Sequence, residues 1–177
     1  MSAVPHQSDP SVASGDESRG IKPIIDLSRL DLSRRMYSKD DIAKLNPHRG
    51  EMALLDWIVW ETPDHRHVVG LKHIRHDEFW VPGHFPGRPM FPGVLMIEAG
   101  AQLACFSFNV RQPDPKVVAF LRIDQASFRA SVQPGDDLYL LCVEIKYGRR
   151  QFQSQIQGIV GDRLAFDARI SGMSLPA

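Results

Sequence analysis

Apolar and polar residues alternate most regularly in the second half of the chain. Tyr139, Leu141, Val143, Ile145 and Tyr147 share one face of a predicted strand over 137–147. In the next, over 151–160, Gln151, Gln153, Gln155 and Gln157 lie opposite Phe152, Ile156 and Val160. A period of two marks a strand with one dry and one wet face. Two further β-rich runs, 117–128 and 164–170, are separated from these by Gln133-Pro134-Gly135-Asp136, Gly148-Arg149-Arg150 and Gly161-Asp162-Arg163. Such punctuation predicts an antiparallel meander. Upstream, 53–60 and 67–74 flank Thr62-Pro63-Asp64, a turn composition, and predict a hairpin.

The only long helical candidate is Val94 to Phe108, which has no polar side. A helix apolar all round is buried, and a sheet with a dry face needs a cover. The pattern therefore predicts an α+β fold in which a long central helix is wrapped by a strongly curved antiparallel β-sheet. Ser38-Lys39-Asp40-Asp41 reads as an N-cap with an acid three residues on, opening a short helix that Asn46-Pro47 stops. The first twenty residues are rich in Ser, Pro, Gly and Asp and read as a flexible tail. The run 24–32 carries five aliphatics in mixed period, expected on the domain surface or against a partner, with no function assigned. The division is thus an N-terminal extension over 1–37, flexible at 1–20, and one domain over 38–177.

Composition narrows the function. The 177 residues are 43% hydrophobic and 24% charged, as in one ordinary globular domain. Twenty-one Lys+Arg balance 21 Asp+Glu, so there is no electrostatic footprint for nucleic acid or an anionic membrane. No stretch reaches the ~18 to 20 apolar residues of a membrane span, and no secretory leader pattern opens the chain. Cys105 and Cys142 match no metal or redox spacing and read as buried free thiols, which fits a reducing cytoplasm. His65, His67, His73 and His76 have no Cys or paired carboxylate at a ligand spacing, so a solvated edge is expected and no metal. Trp57, Trp60 and Trp80 lack basic interleaving and read as packing.

Within the apolar helix, Glu98 and Gln102 stand four residues apart on one face. The plain reading is a satisfied core pair in which Gln102 donates to Glu98. The preceding segment, Val81 to Gly93, is so dense in Pro and Gly that it fixes an elaborate turn, and it holds His84. Histidine exchanges a proton near neutral pH, and a carboxyl in an apolar helix is expected to have its pKa raised by desolvation. Pro92-Gly93 opens the helix, where unpaired amides and the dipole can cradle an oxyanion. Base, acid and oxyanion donor together can take a proton from the carbon beside a carbonyl and expel a β-hydroxyl as water. A Ser or Cys nucleophile is not needed.

The run His-Phe-Pro-Gly-Arg-Pro-x-x-Pro-Gly-Val-Leu-x-x-Glu-Ala-x-Ala-Gln, here His84 to Gln102, resembles the signature of the 3-hydroxyacyl-[acyl-carrier-protein] dehydratases, in the FabZ-like, non-isomerising branch that uses Glu rather than Asp. Leu45-Asn46-Pro47-His48-Arg49 with Leu54 and Asp56, and Phe120, Ile123-Asp124, Phe128 and Pro134-Gly135-Asp136, extend the likeness over about 38–171. The resemblance implies the hot-dog fold and a cofactor-free dehydratase of fatty-acid or related acyl-chain synthesis. The partner implied is an acyl carrier protein bearing the 3-hydroxyacyl chain. It also implies a homodimer or a trimer of dimers, with His84 of one subunit facing Glu98 of the other. By the same likeness His84 is the base, Glu98 holds or protonates the departing hydroxyl, and the Gly93 amide polarises the thioester carbonyl. Gln102 would orient Glu98, and Phe85, Phe91 and Val94 would flank the acyl tunnel. His48 has no partner nearby in sequence and reads as a hydrogen-bonded structural histidine. Ser127 stands where many members carry Arg, and Gly50-Glu51-Met52 replaces their usual run, which leaves acyl length and carrier identity open. Two rivals stand beside this reading: a hot-dog acyl thioesterase, and a non-catalytic acyl-chain-binding partner subunit, hinted at by the N-terminal extension.

Overall fold

The strands and helices follow the predicted order in the protein's structure, a computed structural model that describes residues 22–176. The expected flexible tail at 1–20 lies outside the described residues. A two-residue strand β1 (Tyr37–Ser38) leads into helix α1 (Lys39–Leu45). The hairpin β2 (Trp57–Glu61) and β3 (His67–His73) precedes the long helix α2 (Gly93–Asn109). Then come β4 (Val118–Phe128), β5 (Asp137–Tyr147), β6 (Gln151–Val160) and β7 (Arg163–Ser174). All seven strands form one antiparallel sheet in the order β1-β2-β3-β5-β6-β7-β4.

Local chemistry accounts for the element ends. Ser38 Oγ accepts from the Asp41 amide while Asp41 returns a bond to the Ser38 amide, the capping box that starts α1. β7 runs four residues beyond its predicted end because Met173 pairs with Gln151 of β6 and Ser174 with Val118 of β4. β1 is too short to show any period, and only its pairing of Tyr37 with Ile58 reveals it.

The sheet wraps α2, and the core lies between them. Leu103, Phe106 and Phe108 of the helix are buried with Leu138, Leu140, Cys142, Ile156 and Phe166 of the strands. At Gly100 helix and sheet come so close that a Cβ there would overlap the Ile156 side chain. From its middle onward α2 is buried on every side, as its composition predicts; towards its start Val94 is 72% exposed.

The face of β5 expected to be the dry one needs correcting. Leu138, Leu140 and Cys142 point at the helix, whereas Tyr139, Leu141 and Val143 lie on the other side of the sheet. There they join Val59, Val69, Leu71, Ile159 and Leu164 in a second apolar layer, covered by Ile24, Ile25, Leu27, Leu30 and Leu32. Apolar residues run without a break from Leu138 to Val143, so alternation alone cannot tell which face the helix takes. The five aliphatics of the extension thus form a strap over the outer sheet. Its Ile24 amide donates to Gln157 Oε1 at 2.9 Å, which takes Gln157 out of the expected wet row and buries it.

Candidate active site

A long connection between β3 and α2 carries His84, and a buried ion pair anchors it. Glu78 Oε1 accepts from Lys72 Nζ at 2.9 Å and from the Arg75 amide at 3.0 Å, and Oε2 accepts from Trp80 Nε1 at 2.8 Å. Burial pushes the Glu78 carboxyl up, but the bonds from the Arg75 amide, Lys72 and Trp80 outweigh it and hold its pKa below the ordinary value. Trp80 packs on Phe91, and its carbonyl accepts the His84 amide at 2.8 Å. The turn closes with the Met90 amide on the His84 carbonyl, also at 2.8 Å. His84 is therefore fixed in the backbone before its side chain does anything.

The ring itself is 2.7 Å from the Met90 carbonyl through Nδ1. A carbonyl only accepts, so Nδ1 carries the proton and Nε2 is left with its lone pair. Phe85 stacks on the imidazole at 4.1 Å between centroids. Beside His84 an open, mostly apolar cavity of about 530 Å³ is walled by Phe91, Gly93, Val94, Met96 and Phe128. The first amides of α2 stand at its head, ahead of the first intrahelical bond. The Phe128 ring lies so close that a Cβ on Gly93 would meet it at 2.8 Å, so the approach requires glycine.

Glu98 lies outside that wall, in a different setting. Gln102 Nε2 donates to Glu98 Oε1 at 2.9 Å and to the Met52 carbonyl at 2.7 Å, while Gln102 Oε1 accepts the Leu54 amide at 3.0 Å. Asn46 Nδ2 bonds the Gln102 carbonyl at 2.8 Å. His48 Nε2 lies 3.5 Å from Glu98 Oε1. The Glu98 side chain keeps 28% of its surface exposed, so it is not the fully enclosed acid the helix pattern predicts. The reason is the start of α2, where Val94, Glu98 and Ala101 form a stripe that the sheet does not cover.

The structure thus brings His84, Gly93, Phe91 and Val94 to one cavity and Glu98 with Gln102 to another place in the same chain. Phe85 stacks on His84 and stays outside the cavity wall. The sequence reading missed His48 beside Glu98, and the Lys72–Glu78 anchor. His48 sat in a flagged Pro-His-Arg element, but fifty positions of sequence hid its neighbour. The hairpin histidines bond carboxylates rather than one another: His65 meets Glu61 and His73 meets Asp137. Burial lifts the thiols of Cys105 and Cys142 to about 12, so neither is a nucleophile.

A long helix embraced by a curved antiparallel sheet is the hot-dog fold. It is shared with a chain of the dehydratase heterocomplex ApeI:P from Xenorhabdus doucetiae, at a TM-score of 0.66 and 14% identity over 76% of this chain and 91% of that one. That likeness speaks for the fold alone. The sequence says more: residues 46–169 match the family model described as FabA-like domain, and the chain belongs to that family. Among curated relatives it is 36% identical over 132 residues to the 3-hydroxyacyl-[acyl-carrier-protein] dehydratase FabZ of Desulfotalea psychrophila, covering 73% of this chain and 87% of the relative. It is 40% identical over 127 residues to the FabZ of Herpetosiphon aurantiacus, covering 71% and 89%.

Proposed function

We propose that this chain is a FabZ-like hydro-lyase that reversibly dehydrates a (3R)-3-hydroxyacyl-[acyl-carrier-protein] to the trans-2-enoyl thioester, without a cofactor. The observation that carries the reading is the His84 ring, tied through Nδ1–H to a carbonyl so that the neutral ring keeps its lone pair on Nε2, at the wall of an apolar cavity headed by the amides of α2. In the forward direction His84 Nε2 takes the proton from the carbon next to the thioester carbonyl. The electrons of that C–H bond become the new C=C bond as the β C–O bond breaks. A proton from Glu98 leaves with the hydroxyl as water, and the Gly93 amide stabilises the negative charge gathering on the carbonyl oxygen. Passing the proton from His84 back to Glu98 resets the site. Phe91 and Val94 flank the acyl chain in this reading, with Phe85 beside the base.

Glu98 reaches this cavity from a second copy. The uncovered stripe of Val94, Glu98 and Ala101 supports pairing of two α2 helices, and β4 supports extension of the sheet. Among the described residues β4 pairs with β7 alone, and its Phe120, Leu121, Ile123 and Phe128 are each more than 40% exposed. Each copy contributes its domain over 38–177, and residues 24–32 of the extension 1–37 add the strap. Two free, buried cysteines support a reducing, cytoplasmic setting.

The test is turnover of a short enoyl or 3-hydroxyacyl thioester by the full chain. A change in enoyl absorbance with no thiol released is the expected result. Thiol release without that change selects hydrolysis, and inertness in both assays selects a non-catalytic subunit.

A further inference from the structure

Among the described residues, two buried side-chain atoms find no hydrogen-bond partner: His48 Nδ1 and Asn46 Oδ1. Both residues line the same small cavity, about 10 Å³ in volume, which Gln102 and Lys39 also border. That is room for one water. The Asn46 amide is oriented by its Nδ2 bond to the Gln102 carbonyl, so Oδ1 is an acceptor aimed at this space. On the far side of the imidazole, Nε2 lies 3.5 Å from Glu98 Oε1.

A neutral imidazole has one N–H and one lone pair, and the surroundings choose between them. A bare Nε2 would set its lone pair against Glu98 Oε1, the oxygen that already serves as acceptor to Gln102. An Nε2–H instead gives Glu98 Oε1 a second donor beside Gln102. Nδ1 then becomes an acceptor, like Asn46 Oδ1, and one water with two hydrogens serves both. We propose that His48 is a positioning residue of the dehydratase, whose Nε2–H holds Glu98 Oε1 while a water donating to His48 Nδ1 and Asn46 Oδ1 fixes its tautomer. This rests on the reading of Glu98 as the proton donor.

The consequence falls on the other carboxyl oxygen. With Gln102 donating to Oε1 and the His48 Nε2–H directed at it from 3.5 Å, the acid proton belongs on Oε2, which takes no hydrogen bond from the described residues. Burial lowers the His48 pKa, with Glu98 opposing the shift and Arg49 adding to it, so the ring stays neutral. The charged groups around it are Glu98 of α2, the adjacent Arg49, and Lys39 of α1 across the small cavity.

The experiment compares His48→Leu, which removes the donor, with His48→Gln, which keeps an N–H near the place of Nε2. His48→Leu is expected to lower kcat about tenfold to a hundredfold with little change in KM, and His48→Gln to recover to within about threefold of the parent. In a Glu98→Gln background, adding His48→Leu is expected to cost nothing further. Nitrogen NMR of the His48 ring should report an Nε2–H tautomer at neutral pH. Equal kcat in the two His48 variants, or an Nδ1–H tautomer, overturns the proposal. Should Glu98→Gln alone keep parental turnover, the acid assignment itself fails, and the His48 tautomer then decides the contact on its own.

Discussion

The two halves of the candidate site are built in opposite ways. His84 hangs on a loop at an open cavity, and its ring is held by one backbone carbonyl. Glu98 sits inside a helix, and one of its oxygens is approached by side chains from two other positions, Gln102 and His48. A base needs a lone pair that a substrate can reach, and one tether on the opposite nitrogen gives it that. An acid needs its proton on a chosen oxygen, and in the proposed role Gln102 and His48, both at the other oxygen, would supply that. The same contrast decides what substitution does: the His84 half is held by its loop, so its side chain is free to serve chemistry, whereas the Glu98 half is part of the core.

The largest effect tests the first half. His84→Ala is expected to lower kcat by about 10² to 10⁴ while the thermal midpoint barely moves, since the ring contributes one hydrogen bond and a surface stack. A variant that unfolds would erase the contrast. Gln102→Leu tests the second half, because it strips partners from the buried Leu54 amide and the Met52 carbonyl. Leaving the buried Leu54 amide unpaired costs about 1–3 kcal/mol and the less buried Met52 carbonyl about 1 kcal/mol, so urea titration should show a loss of about 2–4 kcal/mol. Little loss would place Gln102 outside the core's polar framework.

Ile25→Ala touches neither half. It trims the strap over the outer sheet and should cost about 1–2 kcal/mol with unchanged turnover; a fall in kcat would mean that the outer layer speaks to the site. The smallest effect is acidic. The folded pKa of Glu78 lies below the ordinary carboxyl value of 4.5, so its contribution is complete above that pH and is lost as pH falls through the lower folded value. Acid titration of stability in the parent and in Glu78→Gln should diverge above that window and converge below it. Parallel curves would show that the anchor of the His84 loop does not titrate there.

Much of this was legible in the sequence, for physical reasons. Strands β5 and β6 could be read to the residue, because punctuation and period agreed, and α2 announced itself by being apolar throughout. The Val81–Gly93 turn and the Glu98–Gln102 pair were legible because both are local. What stayed hidden was non-local or masked by chemistry. Six apolar residues in a row, Leu138 to Val143, conceal which face of β5 meets the helix. Lys72 and Glu78 carry no local signal of their pairing, and only the fold buries them together. His48 and Glu98 meet only through tertiary packing, and the partial exposure of Glu98 follows from a stripe of α2 that the sheet leaves bare.

In the proposed mechanism base and acid meet only between two copies, and mixing variant subunits decides whether they do. His84→Ala and Glu98→Ala are each inactive in this account, but after unfolding and refolding together half of the dimers carry one copy of each, with one intact site. Recovery of about a quarter of parental turnover is expected when subunits re-pair at random. A mixture as inactive as either variant alone would contradict it.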